Sequence, residues 1–345
     1  MLKLVLAALA ALTFAVPAVA QQKFRVAWSH YTGWEPWGYA QSNGIIKKWA
    51  QKNGIDVDVV LINDYVESIN LYTSGKFDAC AMTNMDALTI PAVGGIDTTA
   101  LIVGSFSNGN DGIVIKGGNG IKDLKGRSVK LVEFSVSHYL LARALTMNGM
   151  TERDVRTVNT SDADIAAVFA SDPKGAAVTW NPPLQQARNA KGAKMIFDSS
   201  QIPGEIIDLM VVKTAAPESL RKTLAGAWYE TLRIMNGRDK PAADALEAMA
   251  KGAGGTLAEF KAQLATTALF YNPAEAAKFA TGADLKKTME QVRTFTFSKG
   301  LFGKGAKTKD FVGIEFPDKS VLGDAKNVKL RFDASVMQLA ADGKL

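Results

Sequence analysis

The chain has 345 residues, more than one hydrophobic core usually serves, so two lobes are expected. A composition of 47% hydrophobic and 21% charged residues excludes disordered and fibrous classes. The formal charge of +6 comes from scattered lysines that alternate with acids, with no basic run interleaved with aromatics. That pattern describes a solvated basic surface and not a nucleic-acid interface.

Taken in chain order, Met1-Leu2-Lys3 is a short basic start, and Leu4 to Val16 is an almost unbroken apolar run. Pro17 and Ala18-Val19-Ala20 follow, which reads as a secretory leader cut after Ala20. The run is shorter than the roughly 20 apolar residues that span a bilayer. No Cys follows the cleavage site, which argues against a lipid anchor. The expected compartment is the periplasm. Cys80 is the only cysteine and sits in an apolar run, so a small buried side chain is expected there, with no intrachain disulfide.

Phe24 to Trp28 reads as a strand, Trp37 to Lys52 as one helix closed by Gly54, and Val57 to Ile62 as the next strand. Asn63-Asp64 caps a helix running to Ser74-Gly75, followed by strands over 77–82 and 98–103. The same alternation restarts after residue 111. Strands are expected at 112–115, 128–132, 155–158, 176–179, 194–197 and 207–212. Helices are expected at 135–148, 163–169 and 183–189 between them. Strands separated by helices imply βαβ units and mostly parallel sheets. From Ala216 onward the chain reads as mostly helical, with mixed short segments from Asp310 and a final helix near Ala334 to Ala341.

In open α/β sheets a ligand lies beyond the carboxyl ends of the strands. After the first three strands come His30, Tyr31, Trp34, Glu35 and Trp37, then Asp64 and Tyr65, then Asn84 and Asp86. The first crossing between lobes holds Ser107, Asn108 and Asp111. The second lobe offers Glu133, Ser135, His138, Tyr139, Trp180 and Asn181, and the return crossing offers Glu205 and Asp208. From these the candidate ligand set is Tyr31, Trp34, Glu35, Asp64, Asn84, Asp86, Ser107, Asn108, Glu133, Ser135, His138, Tyr139, Trp180, Asn181 and Asp208.

Its ionisable members are almost all acids, with no Lys or Arg, whereas an anion site places basic groups beside helix N-termini. Aromatic faces beside carboxylates suit a cation or a donor-rich neutral molecule, such as guanidinium or a urea-like compound. Competing structural roles stand beside these. Trp28 and Trp49 read as core, Trp37 reads either way, Asp64 and Asp86 read equally as helix caps, and Glu205 as a turn charge.

Several stretches also carry a resemblance: Asp64 to Asp86, the segment Asp123-Leu124-Lys125-Gly126-Arg127, the S-x-x-H-Y-L-L run from Ser135 to Leu141, and Trp180-Asn181-Pro182. Together they resemble the nitrate/sulfonate/taurine-type substrate-binding proteins of ABC transporters, over nearly all of the mature chain. That resemblance implies a two-lobed, type II periplasmic binding protein fold of the α/β class with a helical C-terminal region. Lobe 1 would be residues 21–110 plus 206–345, and lobe 2 residues 111–205. It implies a small-molecule ligand, an inner-membrane permease as partner and no cofactor, with a free monomer as the default.

The stretch from Ser29 to Ala50 is most similar to binding proteins associated with urea carboxylase gene regions. This subgroup implies a urea or guanidine ligand held by Trp34, Glu35, Asn84, Ser135, His138 and Trp180. Alternative readings are a binding protein for another ligand of the family (pyrimidine precursor, amine or sulfonate) or a secreted enzyme using Glu35 or Glu133 as general base. Against the enzyme, the two histidines lack metal-site spacing and no nucleophile elbow, P-loop or dinucleotide fingerprint is present.

Overall fold

The computed structural model describes residues 22–345. The expected leader, with its cut after Ala20, lies outside the described residues. Among those described, no helix is long and apolar enough to cross a membrane.

The chain opens with β1 (Lys23–Trp28), α1 (Glu35–Ser42), α2 (Ile45–Lys52), β2 (Asp56–Leu61), α3 (Tyr65–Thr73), β3 (Ala79–Thr83), α4 (Asn84–Ala87) and β4 (Thr98–Ser107). The single helix expected over 37–52 is therefore two. Gly44 between them takes φ 73°, a left-handed conformation that interrupts the helical ladder and that glycine adopts without steric cost. Asp64 caps α3 as expected, its side chain accepting from the Glu67 N–H at 2.8 Å. β3 is buried at every position and β4 at all but Phe106, the continuous burial of strands covered on both faces.

The chain continues with β5 (Asp111–Lys116), β6 (Ser128–Leu131), α5 (Val136–Met147), β7 (Arg156–Asn159), α6 (Ile165–Ser171), β8 (Ala176–Trp180), α7 (Pro183–Asn189) and β9 (Ala193–Asp198). Then come β10 (Ile207–Lys213), α8 (Glu218–Met235), α9 (Lys240–Gly252), α10 (Leu257–Leu264), β11 (Thr267–Leu269), α11 (Pro273–Thr281) and α12 (Ala283–Ser298). The tail forms β12 (Gly313–Glu315), β13 (Val321–Leu322), β14 (Val328–Phe332) and α13 (Ser335–Ala341).

These strands build two sheets. One runs β13-β12-β14-β4-β10-β3-β1-β2 with β11 added to β4, and the other runs β7-β6-β8-β5-β9. The sheets are mixed, with parallel pairs such as β1–β2 and β6–β7 beside antiparallel ones. β10 is antiparallel to both β3 and β4, and β5 is antiparallel to both β8 and β9. The physical reason is the route of the chain. β5 and β10 are the first strands after each crossing between sheets, so the chain meets the new sheet where its parallel strands end and must run back through it. The starts of β5 and β10 thereby lie level with the carboxyl ends of their neighbours, the place where open α/β sheets bind ligands.

The C-terminal region is less purely helical than its sequence suggests. β12, β13 and β14 lengthen the larger sheet through β14, which pairs with β4. Trp37 proves to be core, stacked on Trp228 with centroids 4.9 Å apart. Trp28 is buried, and Trp49 is partly buried with its indole N–H donating to Glu230 at 2.6 Å. Cys80 is a free, fully buried thiol in β3, and burial pushes its pKa up to about 12.

Candidate functional site

A small cavity lies between the two sheets, lined by Tyr31, Trp34, Tyr65, Thr83, Asp111, Val136, Trp180, Ile206 and Asp208. Its free space is about 10 Å³, on the order of one water molecule. Only a very small ligand fits there unless the walls part.

Four rings form a continuous aromatic wall. Tyr31 follows β1, Trp34 is the N-cap residue of α1, Tyr65 opens α3 and Trp180 ends β8. Ring centroids are 5.0 Å apart for Tyr31–Trp34, 5.5 Å for Trp34–Tyr65 and 5.4 Å for Tyr65–Trp180. Two carboxylates complete the lining. Asp208, second residue of β10, pairs in register with Thr83 of β3 and Ser105 of β4 and accepts from the Ser105 hydroxyl at 2.6 Å. Asp111, first residue of β5, pairs with Trp180 of β8. Asp86 stands just behind the wall, its Oδ2 accepting from the Tyr65 hydroxyl at 2.6 Å and from the Thr83 hydroxyl at 2.7 Å.

No Lys, Arg or His lines this cavity. Burial therefore acts on the acids without a counter-charge, raising their pKa values against partial relief from hydroxyl hydrogen bonds. Asp86 is pushed up to about 6, Asp111 to about 7 and Asp208 to about 8. Tyr31 is held well above its ordinary range by burial and by the charges of Asp208 and Asp111. Several buried polar atoms here have no hydrogen-bond partner in the protein: Asp111 Oδ1, Asn181 Oδ1 and Trp34 Nε1. Buried polar groups are nearly always paired, so these atoms have hydrogen-bonding capacity left for a water or a ligand.

Of the candidate set, Tyr31, Trp34, Trp180 and Asp208 line the cavity, while Asp86 and Asn181 stand beside it. The others are elsewhere, for local reasons. Glu35 is buried but faces a separate hollow with Trp28, Tyr39 and Met249, and its Oε1 lies 2.7 Å from His30 Nδ1. Asp64 is exposed and serves as the α3 cap. Asn84 ties α4 to the return crossing, donating to the Glu205 carbonyl at 3.2 Å and accepting from the Ile207 N–H at 3.0 Å. Ser107 fastens the two crossings, its hydroxyl 2.7 Å from that of Ser199 and accepting from the Asp111 N–H at 3.0 Å. Asn108 is exposed, with its N–H donating to the Thr266 carbonyl at 3.0 Å.

In the second lobe, Glu133 accepts from the Thr157 hydroxyl at 2.5 Å, and Ser135 caps α5 by accepting from the Ser137 N–H at 3.1 Å. Beside Ser135, Val136 presents the apolar contact to the cavity. His138 accepts from the Phe134 N–H at 3.1 Å through Nδ1, and its Nε2 lies 2.5 Å from Glu152. Burial and then the Lys299 charge hold its imidazole down to about 4. Tyr139 donates to Glu205 at 2.5 Å. Glu205 is thus no free turn charge, since Arg143 also grips it through Nε at 2.8 Å and Nη2 at 2.9 Å.

Tyr65 and Asp111 stood at the expected strand ends but outside the candidate set. Thr83, Val136 and Ile206 carry no chemical signal in sequence and reach the cavity only through sheet register and lobe contact. Among the described residues, no group of three or more His, Cys, Asp or Glu side chains is placed to hold a metal ion.

Solved structures share this fold at low sequence identity. The periplasmic aliphatic sulphonate-binding protein SsuA from Escherichia coli superposes with a TM-score of 0.67 at 16% identity, covering 83% of this chain and 95% of its own. The alkanesulfonate-binding protein SsuA from Xanthomonas axonopodis pv. citri, bound to MOPS, gives 0.66 at 15%, covering 82% and 94%. The periplasmic nitrate-binding protein NrtA from Synechocystis PCC 6803 gives 0.59 at 12%, covering 94% and 99%. The two-lobed periplasmic binding protein fold follows from these likenesses. No curated protein matches the chain. The family described as NMT1/THI5 like matches residues 39–212, about half of the sequence, and the chain belongs to that family.

Proposed function

We propose that this protein is the periplasmic solute-binding component of an ABC transporter and that it captures a small cationic or donor-rich nitrogen compound, of the guanidinium or urea kind, between its lobes. The observation that carries the reading is the cavity itself: four aromatic rings and two buried carboxylates, with no basic side chain in the lining. A sulfonate or nitrate would be set against Asp111 and Asp208 with nothing to balance its charge. Aromatic faces and carboxylates instead hold planar N–H donors by cation–π attraction and charge-assisted hydrogen bonds.

In this reading the lobes are residues 21–110 with 206–345, and residues 111–205. The open form presents Tyr31, Trp34, Tyr65 and Asp208 on one side and Asp111 and Trp180 on the other. Ligand contacts to both sides favour closure because they exist only in the closed state. The closed monomer then docks on an inner-membrane permease, which takes the ligand onward. The chain works by binding and not by turnover. In support, neither Glu35 nor Glu133 faces the cavity, and both are held by neighbouring side chains.

Titration calorimetry of the protein with guanidinium, urea, taurine and nitrate tests this. One-to-one binding of a nitrogen compound, with the anions silent and the ligand recovered unchanged by NMR, is the expected result. Binding of taurine or nitrate alone, or conversion of the ligand, sinks it.

A further inference from the structure

We propose that Asp111 and Asp208 form a charge-selective clamp, in which a cationic ligand bridges the two carboxylates and closes the lobes, whereas a neutral molecule of the same shape does not. This deepens the function proposed above and rests on it.

The two acids belong to different sheets. Asp111 opens β5 of the five-stranded sheet, and Asp208 stands at the start of β10 in the nine-stranded sheet. Each sits on the one interior strand that runs against its neighbours, which is what carries it to the mouth. Both are buried to 2% exposure and both line the same cavity. They stand on different sheets and line one space beside the crossings, Asp111 through its N–H on Ser107 and Asp208 through the Ser105 hydroxyl. Two like charges in a dry site repel, so without a counter-charge the closed form is penalised.

The titratable groups lining this space are Tyr31, Tyr65, Asp111 and Asp208, with Asp86 and Asp162 behind them on the Tyr65 hydroxyl and N–H, and none of these brings a positive charge. The raised carboxyl pKa values come first from burial, with the Asp86 charge adding at Asp111 and the Asp111 charge adding at Asp208, so with no cation present closure is favoured by taking up protons. A guanidinium ion removes the penalty directly. Its N–H groups reach outward in one plane, so one edge can serve Asp111 Oδ1, which has no partner, while another serves Asp208. Its faces meet the aromatic wall of Trp34 and Tyr65. Urea has the same planar shape and offers a carbonyl for the unpaired Trp34 indole N–H, but it brings no charge to offset two carboxylates. Charge, not shape, is then the selective feature.

The test is calorimetry with guanidinium, urea and taurine on the wild-type protein at about pH 6 and about pH 8, in buffers of different ionisation enthalpy, with guanidinium repeated for Asp111→Asn and Asp208→Asn. Expected are guanidinium binding that tightens toward the higher pH with proton release, urea at least about tenfold weaker, and a loss of about tenfold or more in guanidinium affinity for each variant. Urea binding as tightly as guanidinium to the wild type overturns the clamp and leaves the nitrogen-compound reading intact. So does guanidinium affinity that is the same at both pH values with no proton release. Silence to both nitrogen compounds with binding of taurine overturns the clamp and that reading together. The wild-type comparison decides even if a variant folds poorly.

Discussion

Tyr65 and Trp180 meet edge to face, with centroids 5.4 Å apart and 76° between their planes, although they stand at different sheets. Tyr65 opens α3 beside the nine-stranded sheet, and Trp180 ends β8 in the five-stranded one. This contact seals one side of the cavity. The ring wall thus draws on both sheets, since neither carries all four rings.

Removing the second lobe's ring should therefore weaken capture more than it weakens the fold. Trp180→Ala is expected to raise the Kd for guanidinium by about tenfold to a hundredfold, from lost cation–π contact and lost ring packing. Calorimetry on a variant whose circular dichroism matches the wild type checks this. An unchanged Kd would mean that Trp180 closes the wall without touching the ligand.

Two acids that look like site residues in sequence should behave as structural ones. Asp64→Ala removes the α3 cap and is expected to cost about 0.5–2 kcal/mol of stability. Glu35→Gln alters the contact with His30 in a separate hollow. Denaturant midpoints should move for Asp64→Ala, while guanidinium affinity stays within about twofold for both. A large affinity loss in either would place that residue in the binding machinery.

The grip of Arg143 and Tyr139 on Glu205 ties α5 to the return crossing. Arg143→Ala should destabilise the protein by about 1 kcal/mol or somewhat more, because the pair is only partly exposed and Glu205 keeps the Tyr139 hydroxyl as a partner. Its effect on ligand release should be larger than on capture, which stopped-flow tryptophan fluorescence separates. Equal changes in both rates would count against a role in holding the closed form.

Acidity provides a further check. Asp208 is pushed up to about 8 by burial, so the folded chain keeps a proton that the unfolded chain gives up above the ordinary carboxylate range. The stability linked to that proton is complete at acid pH and is lost as pH rises toward about 8. Without ligand, the Tm of the wild type should fall relative to Asp208→Asn between about pH 5 and about pH 8. Scanning calorimetry showing parallel curves for the two proteins would remove Asp208 as the source.

Much of the scaffold is legible along the chain because it rests on local physics. The β-branched runs give strands, Asp64 gives a cap, and Pro183 to Asn189 gives a helix of the expected bounds. Gly44 is a local signal too, and reading through it merged α1 with α2. The short strands β11 to β14 leave little trace, since two to five residues acquire strand character only by pairing with β4 and with each other.

The site divides the same way. Sequence alone determined that acids and aromatics, without basic residues, gather at the strand ends, because composition and strand order are one-dimensional facts. Only the tertiary structure decided which of them share a space. Glu35, Asp64 and Glu133 have the right chemistry, yet each is turned to a local partner by its own helix or strand. Asp111 and Asp208 lie 97 positions apart in numbering and line one cavity because two crossings reverse β5 and β10 against their sheets. Side-chain chemistry is written residue by residue, while a cavity is a relation among distant residues that only chain direction and register create.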